Sequence, residues 1–261
     1  VIFILVTGLS LIVLFLLSLY FANKSINPIK EAFEKQKEFI ANASHELKTP
    51  LTIIKTNMDV ICENQEEKVK SQQKWIGFIY NQIDIMANLI NDMISLARLD
   101  SLKENLVFCN FNLSNALEGV LLSFEAAFYE NSIKLETDIQ ENVYIHGDRD
   151  SLERLITILI DNAIKNTPKN GIITVSLSAK KNNIEIIVKN TGKGIAPENM
   201  ERVFERFYRE DSSQTTEKSS FGLGLAIAKS IVENHNGKIY VESEPNVYTS
   251  FIVKLPVANR S

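Results

Sequence analysis

The sequence predicts three successive structural parts: a membrane helix, an all-α helical hairpin and an α/β sandwich. Three observations support this prediction. An uncharged apolar run opens the chain, two later stretches repeat apolar residues at the spacing of paired helices, and from Val107 onward short strands alternate with helices. The predicted boundaries are 1–22 for the membrane helix, 23–34 for a helical linker, 35–102 for the hairpin and 106–258 for the α/β domain.

The membrane helix is predicted from Val1 to Ala22. This run contains no charged residue, and at about 1.5 Å per residue it is long enough for a hydrocarbon core of roughly 30 Å. A buried core helix is the alternative interpretation. Lysines follow the run, and the positive-inside rule then places the rest of the chain in the cytoplasm. We therefore expect a cell-membrane protein with its larger part in the cytoplasm.

The overall composition excludes some classes of partner and site. The formal charge is −4 and the isoelectric point is near 5.6, so the chain lacks the basic surplus that binds phosphate backbones, and we expect no direct nucleic-acid partner. Cys62 and Cys109 match no metal-ligand spacing, which favours two reduced thiols.

The hairpin is predicted from two apolar seams. A helix is expected to begin near Asn27-Pro28, because proline is tolerated in a first turn. The stretch ENQEEKVKS separates the seams as a polar loop. A lone hairpin cannot enclose its own core, so two copies are expected to form a four-helix bundle, which predicts a homodimer. The seam residues are Ile40, Ser44, Leu47, Leu51, Ile54, Met58 and Ile61, then Ile76, Ile79, Ile83, Met86, Ile90, Met93 and Ala97.

His45 is the residue of the hairpin that raises a question of chemistry. It lies one position past Ser44, about 100° round the helix, which predicts an exposed ring on the shoulder of the bundle. The zinc pattern H-E-x-x-H fails, because Thr49 occupies the position of the second histidine. An imidazole next to the carboxylate of Glu46 remains, and an ordinary solvated face is the alternative. Pro50 is expected to bend the helix one turn further on.

The α/β part contains three elements that suit a phosphate ligand. NTGKGI, from Asn190 to Ile195, follows a strand, and FGLGLAIAKSI, from Phe221 to Ile231, begins a helix. Glycines let the backbone approach phosphate oxygens, and the first N–H groups of a helix can bind an anion. On LIDNAIKNTP, Asn162 and Lys165 share a helix face and could supply an amide oxygen to Mg²⁺ and an ammonium to phosphate. Tight turns and an ordinary amphipathic helix end are the alternatives.

The order of these elements resembles the sensor histidine kinases of bacterial two-component systems. FIANASHELKTPL resembles the phosphoacceptor box of that family, LIDNAIKNTP its asparagine box, NTGKGI and FGLGL its two glycine boxes, and VFERFYR its phenylalanine box. The resemblance implies a helical hairpin followed by an ATP-binding domain of the GHKL type. It also implies ATP-dependent autophosphorylation on histidine and transfer to an aspartate on the receiver domain of a response regulator.

The resemblance also implies a role for each matching residue. His45 accepts the γ-phosphoryl group, Glu46 orients its ring and acts as general base, and Thr49 helps to position a water that removes phosphate from the regulator. Asn162 binds Mg²⁺ and Lys165 the phosphates of ATP, with the segment from Glu210 to Ser220 as a lid. The remaining nucleotide-binding residues implied are Asn190, Gly192, Gly194, Arg209, Gly222, Leu223 and Gly224.

The sequence departs from the family pattern at three boxes. Asn190 stands where the family usually has an aspartate that accepts a hydrogen bond from the adenine amino group, and a neutral acceptor predicts weaker ATP binding. Ile158 replaces a second asparagine, and Ser219 and Ser220 replace two glycines. These departures keep a second interpretation open, a scaffold that binds a regulator without phosphoryl transfer. An unrelated ATPase of the same fold is a third interpretation, and His146 and His235 are given no catalytic role.

Overall fold

The computed structural model describes residues 2–101, 106–181, 183–209 and 221–257. The chain divides into two compact units, Val1–Ile79 and Tyr80–Ser261. The division falls inside the second long helix, whereas the sequence places the domain boundary at residues 102–106.

The first unit consists of helix α1, Ile2–Glu63, and the first turns of helix α2, Val69–Ser101. The helical hairpin is thus confirmed, but α1 runs without interruption through Asn27-Pro28, and the prediction that it begins there is wrong. Proline removes one backbone hydrogen bond, and the turns on both sides continue the helix because each added residue gains a bond. Within the described residues we find no helix that combines the length and mean hydropathy of a membrane span.

The residues of α1 that one copy of the chain buries most are not those of the predicted seam. Ala43, Pro50 and Asn57, spaced seven residues apart, are buried, whereas Leu51 and Met58 are 58% and 45% exposed. The apolar surface of α1 is therefore wider than one stripe, and the row at Ala43 is the one covered within the chain.

Two buried amides mark the end of the hairpin in the first unit. Asn57 is 8% exposed and its Nδ2 donates to the Ile53 carbonyl oxygen at 2.7 Å. Gln72, also 8% exposed, donates from Nε2 to the Asn64 carbonyl oxygen at 2.6 Å. The second bond connects α2 to the turn after α1. It also satisfies the buried amide of Gln72, which needs a hydrogen-bond partner.

The second unit contains the remainder of α2 and the predicted α/β domain. The helical segment before β2 is divided at Phe124 into α3 and α4. The bounds are β1 Phe108–Asn112, α3 Leu113–Ser123, α4 Glu125–Glu130, β2 Lys134–Ile139, β3 Tyr144–Asp148, α5 Arg149–Asn166, β4 Ile172–Ala179, β5 Asn183–Thr191, α6 Gly224–Asn234, β6 Lys238–Glu244 and β7 Tyr248–Pro256.

The strands form two sheets. Five strands make a mixed sheet in the order β2-β4-β5-β7-β6, in which only the β2–β4 pair is parallel. The strands β1 and β3 pair separately and antiparallel. The period of two in β1 and β3 predicts strands correctly but does not specify their partners.

The core lies between the large sheet and helices α3, α5 and α6. Apolar residues of α5 repeat at helical spacing and are fully buried, and the inward residues of β4, β5 and β7 meet them. This packing fixes the carboxyl end of α5 beside the end of β5. The fully buried α5 residues include Leu152, Leu155, Ile156, Leu159 and Ile160.

Asp148 joins three segments at the start of the α/β domain. Its Oδ1 accepts from Ser151 N at 2.9 Å and caps α5, and its Oδ2 accepts from Val107 N at 3.1 Å. Its own backbone N–H donates to Nε2 of His235 at 3.0 Å, and Nδ1 of His235 lies 2.8 Å from the Ile231 carbonyl oxygen. The ring therefore carries its proton on Nδ1 and is neutral. Burial lowers the pKa of His235, although the Ile231 carbonyl and Asp148 oppose this effect.

We expect the free energy of unfolding to fall as the pH falls below about 6.5, the ordinary pKa of histidine. In this pH range His235 binds a proton in the unfolded chain but not in the folded one, because its pKa is lower when folded. Protonation therefore favours the unfolded state. Urea unfolding followed by far-ultraviolet circular dichroism between pH 7.5 and 5.5 measures this slope. Replacing His235 by glutamine should flatten the slope, and an unchanged slope would contradict the assignment. The pH range of the measurement stays above 5 so that Asp148 does not titrate within it. Partial burial acts to raise the pKa of Asp148, but its hydrogen bonds with Ser151 and Val107 outweigh burial and lower the pKa.

Candidate functional site

The predicted phosphoacceptor lies on the exposed side of α1. His45 is exposed, as the heptad position predicts, Glu46 next to it is half-buried, and Thr49 one turn further is exposed. The buried Ala43 and Pro50 hold the opposite side of the helix against the hairpin. An imidazole in this position is open to a macromolecular donor or acceptor of phosphate, and a carboxylate lies one residue away.

The second unit contains a cavity of about 1000 Å³. Helix α5, the end of β5, the segment before α6 and the part of α2 in the same unit line it. Seven of the predicted nucleotide-binding residues are among the lining residues, namely Asn162, Lys165, Asn190, Gly194, Arg209, Gly222 and Gly224.

Helix α5 supplies the amide and the cation predicted for phosphate chemistry. Oδ1 of Asn162 accepts from Nδ2 of Asn166 at 3.0 Å, and Lys165 Nζ lies 2.7 Å from Asp161 Oδ2. The side chains of Asp161 and Lys165 are 44% and 35% exposed, so the pair is open to solvent on its cavity side. Lys165 can therefore exchange a carboxylate for a phosphate without leaving a buried charge unpaired.

Asn190 has a fixed orientation at the base of the cavity. It is 2% exposed, and its Nδ2 donates to the Thr191 carbonyl oxygen at 3.1 Å and makes a longer contact of 3.5 Å with the Asn166 carbonyl oxygen. A flipped amide would set oxygen against these carbonyls. Oδ1 is the buried side-chain atom that lacks a hydrogen-bond partner among the described residues. The cavity thus offers a buried acceptor to which a ligand donor can bond.

The first glycine cluster is held against the turn between β6 and β7. Gly194 has a φ of +71°, and a Cβ there would lie 2.4 Å from the Glu244 carbonyl oxygen. Ile195 N donates to Ser243 Oγ at 2.8 Å, and Gly192 N donates to the Val247 carbonyl oxygen at 3.2 Å. The loop is therefore fixed from both sides, and only glycine fits at position 194.

The residues before and after the predicted lid are bonded to each other. Phe207 N donates to the Gly222 carbonyl oxygen at 3.0 Å. Phe207 has a φ of +61°, a region that costs a bulky residue about 1–3 kcal/mol. Gly222 has a φ of +69°, and a Cβ on it would lie 2.5 Å from the Tyr208 carbonyl oxygen. The predicted lid itself, with Ser219 and Ser220, lies outside the described residues.

Helix α6 begins at the cavity with Gly224. Among the residues that the structure describes, no side chain caps its first turn, and the first N–H groups of a helix can bind an anion. Ile158, at the position of the missing asparagine, lies beside Gly224, where a Cβ would be 3.3 Å from its Cγ2. The side chain of Leu223 is 1% exposed and belongs to the core, and Gly192 is not among the residues that line the cavity.

One wall of the cavity was missed by the sequence analysis. Asn88, Asn91 and Asp92 of α2 line it, and Arg154 of α5 binds Asp92 Oδ1 at 2.9 Å through Nη2. These polar residues recur at helical spacing on α2, a pattern that could have indicated a polar face. The apolar seam on the same helix instead favoured an interpretation of α2 as a dimerisation helix.

The donors of the cavity suit a cation bound mainly by a phosphate ligand. Within the described ranges, no group of three or more histidine, cysteine or acidic side chains could hold a metal ion. Asn162 and Asp161 provide oxygen donors beside Lys165. Mg²⁺ usually takes one or two protein oxygens and completes its shell with phosphates and water, so these residues fit it.

Two family models match the chain. Residues 35–102 match the His Kinase A (phospho-acceptor) domain, and residues 147–259 match the histidine kinase-, DNA gyrase B-, and HSP90-like ATPase. The two matches cover the hairpin with His45 and the domain that contains the cavity.

Individual proteins are similar over most of the chain. The sensor protein DltS of Streptococcus agalactiae is 32% identical over 240 residues, which are 92% of this chain and 59% of DltS. The structure of the histidine kinase AdeS of Acinetobacter baumannii aligns with a TM-score of 0.68 at 25% identity, over 82% of this chain and 98% of that one. The histidine kinase ThkA, solved in complex with the response regulator TrrA, shares the fold at 24% identity and a TM-score of 0.71, over 87% of this chain and 63% of that one. The chain spans little more than half the length of DltS.

Proposed function

Because the chain belongs to the sensor histidine kinases of two-component systems, we propose that it phosphorylates itself on His45 with ATP and passes the phosphoryl group to an aspartate of a response regulator. The observation that supports this best is the combination of an exposed histidine in a matched phosphoacceptor hairpin with a large cavity in a matched ATPase domain. The same protein is proposed to remove phosphate from that regulator.

ATP is placed in the cavity of the second unit in this proposal. Asn190 Oδ1 accepts a hydrogen bond from the adenine amino group, and the glycine segments at Gly194 and Gly222 let backbone approach the nucleotide. Lys165, Arg209 and the first turn of α6 bind the phosphates. Asn162 and Asp161 are the oxygen donors toward Mg²⁺, which when bound neutralises phosphate charge.

In the proposed transfer, a ring nitrogen of His45 bonds to the γ-phosphorus while the bond to the β–γ bridging oxygen breaks and ADP leaves with that electron pair. Glu46 accepts a hydrogen bond from the other ring nitrogen, fixes the tautomer and takes up the proton that the ring loses. Such transfers depend largely on positioning and charge neutralisation. Thr49 is proposed to orient a water in the reverse task, regulator dephosphorylation.

The experiment that tests the kinase is incubation of the chain with γ-labelled ATP and Mg²⁺. Acid-labile, base-stable label on the protein, which then moves to an added receiver domain, is the expected result. Nucleotide binding without label would instead support the scaffold. Sustained ATP hydrolysis in a chain without His45 would support the unrelated ATPase.

We further propose a homodimer held at the membrane. Ile40, Leu51 and Met58 remain exposed on α1, and an uncovered apolar face of a hairpin is suited to a second copy. Phe3, Leu9 and Phe15 are also exposed, which supports a lipid environment for residues 1–22. Light scattering in detergent should give a dimer, and carbonate washing should leave the chain in the membrane fraction. A monomer, or a released chain, would contradict the respective proposal.

For the neutral acceptor at residue 190 we predict that a substitution strengthens ATP binding but lowers the thermal stability of the protein. Asn190→Asp should bind ATP about fivefold more tightly, because a charged acceptor strengthens the bond to an amino donor by about 1 kcal/mol. The same change should lower the melting temperature, because the carboxylate loses the amide donation to the Thr191 carbonyl. Calorimetric titration and thermal unfolding measure the two effects. Equal affinities of the two proteins would refute the role of Asn190.

A further inference from the structure

We propose that Asp92 of α2 opposes nucleotide binding, so that nucleotide binding and release of α2 from α5 are coupled. The inference rests on the proposed nucleotide site and goes beyond it by assigning a role to a residue outside the ATPase domain match.

The contact between the two helices is specific in its geometry. Arg154 of α5 reaches α2 with both terminal nitrogens: Nη2 donates to Asp92 Oδ1 at 2.9 Å and Nη1 donates to Ser95 Oγ at 2.5 Å. A third bond joins α2 to α6, from Asn234 Nδ2 to the Leu99 carbonyl oxygen at 3.3 Å. Paired hydrogen bonds to one guanidinium hold a defined relative position, which a lysine contact would not.

The two charged side chains of this contact, Asp92 and Arg154, also line the cavity. They line it together with Asp161 and Lys165. Each cation is paired with a carboxylate, Arg154 with Asp92 and Lys165 with Asp161. Burial raises the pKa of Asp92, whereas the nearby Arg154 and Lys165 oppose that rise. Asp92 is thus a partly desolvated carboxylate that shares the electrostatic environment of Lys165.

A nucleotide brings several negative charges to the same wall. The partly desolvated carboxylate of Asp92 repels them more strongly than a solvated one, because screening is weaker away from bulk water. Bound phosphates also attract Arg154 and weaken its hold on α2. Ligand and docked α2 therefore oppose each other, and by linkage each lowers the affinity of the other equally.

A purely structural ion pair is the competing explanation. The side chains of Arg154 and Asp92 are 38% and 34% exposed, and pairs of such exposure contribute little to stability. That explanation predicts no change of nucleotide affinity when the pair is removed, so affinity is the deciding measurement.

The test measures binding of the non-hydrolysable imido analogue of ATP, with Mg²⁺, to the full chain by calorimetry. Asp92→Asn should lower Kd by about three- to tenfold, whereas Asp92→Glu, which keeps the charge, should stay near the parent value. Asp84→Asn is the matched control, because Asp84 is an exposed carboxylate on α2 that is not among the residues lining the cavity. Equal Kd values for Asp92→Asn and Asp84→Asn, or weaker binding by Asp92→Asn, overturn the proposal.

A second measurement follows the release itself. Cys62 and Cys109 are the two cysteines of the chain, and both are exposed, so spin labels on them report a distance distribution. The analogue should change this distribution in the parent chain, and Asp92→Asn should produce the change without analogue. A distance distribution that changes neither with the analogue nor in Asp92→Asn contradicts the coupling. A parent chain that binds no analogue refutes the proposed function as well, whereas intact binding with no effect of Asp92→Asn refutes the coupling alone.

Discussion

Replacement of His45 by glutamine should abolish acid-labile phosphorylation of the chain while leaving nucleotide binding unchanged. Glutamine has no ring nitrogen that can attack phosphorus, and its side chain is accommodated because His45 is exposed on α1. We expect loss to the background of the radiolabel assay, with the calorimetric affinity for the ATP analogue unaffected, since the cavity lies in the other compact unit.

Two variants provide the controls for this result. His146→Gln changes another exposed histidine, on β3, and should retain full labelling. Glu46→Gln removes the base but keeps its shape, and should reduce the labelling rate by about 10²-fold or more. Labelling that survives in His45→Gln would assign the phosphoacceptor to another residue.

Replacement of Gly222 by alanine should weaken nucleotide binding by more than about tenfold. The added Cβ would lie 2.5 Å from the Tyr208 carbonyl oxygen at a φ of +69°, so the Phe207–Gly222 bond must shift and the first turn of α6 with it. Calorimetric titration of the ATP analogue measures the effect. Thermal unfolding of the same variant shows whether the domain remains folded.

Gly119→Ala is the matched control, because its Cβ would meet nothing within 4 Å in the middle of α3. It should stabilise the domain by about 0.5–1 kcal/mol, since alanine is the better helix former, and should leave affinity unchanged. If Gly222→Ala binds as tightly as Gly119→Ala, the backbone at residue 222 does not shape the site.

The sequence predicts the elements of the α/β domain well because their periods are strong. Helix α5 repeats apolar residues at a spacing that only a helix buries on one face, and β4 and β5 alternate with a period of two. Strand pairing is less predictable. Leu135 of β2 meets Ile173 of β4 across the sheet, a contact between distant segments that local periodicity does not encode.

Which apolar row of the hairpin is buried within one copy of the chain was not predictable, for a different reason. Two apolar rows run along α1, and a pattern of apolar residues does not say which one the same chain covers. Side-chain polarity alone would predict that Leu51 is buried and Asn57 exposed, but the structure shows the reverse. Likewise, Leu89 and Leu96 are fully buried although neither belongs to the predicted seam of α2.

Much of the candidate site was predictable because its residues are adjacent in sequence and their spacing reflects local geometry. Asn162 with Lys165, and Gly222 with Gly224, are such pairs. The α2 wall could not be predicted in this way, because the Asp92–Arg154 contact joins residues that are 62 positions apart. Such contacts depend on how whole elements pack, and no short motif encodes them.

The buried amide of Asn57 bears on how an input at the amino-terminal end of α1 could travel. Its Nδ2 donates to the Ile53 carbonyl oxygen of the same helix, so a rotation of α1 would carry the amide and its partner together. Such a rotation would change which side chains of the row at Ala43 are covered and would break no hydrogen bond of Asn57.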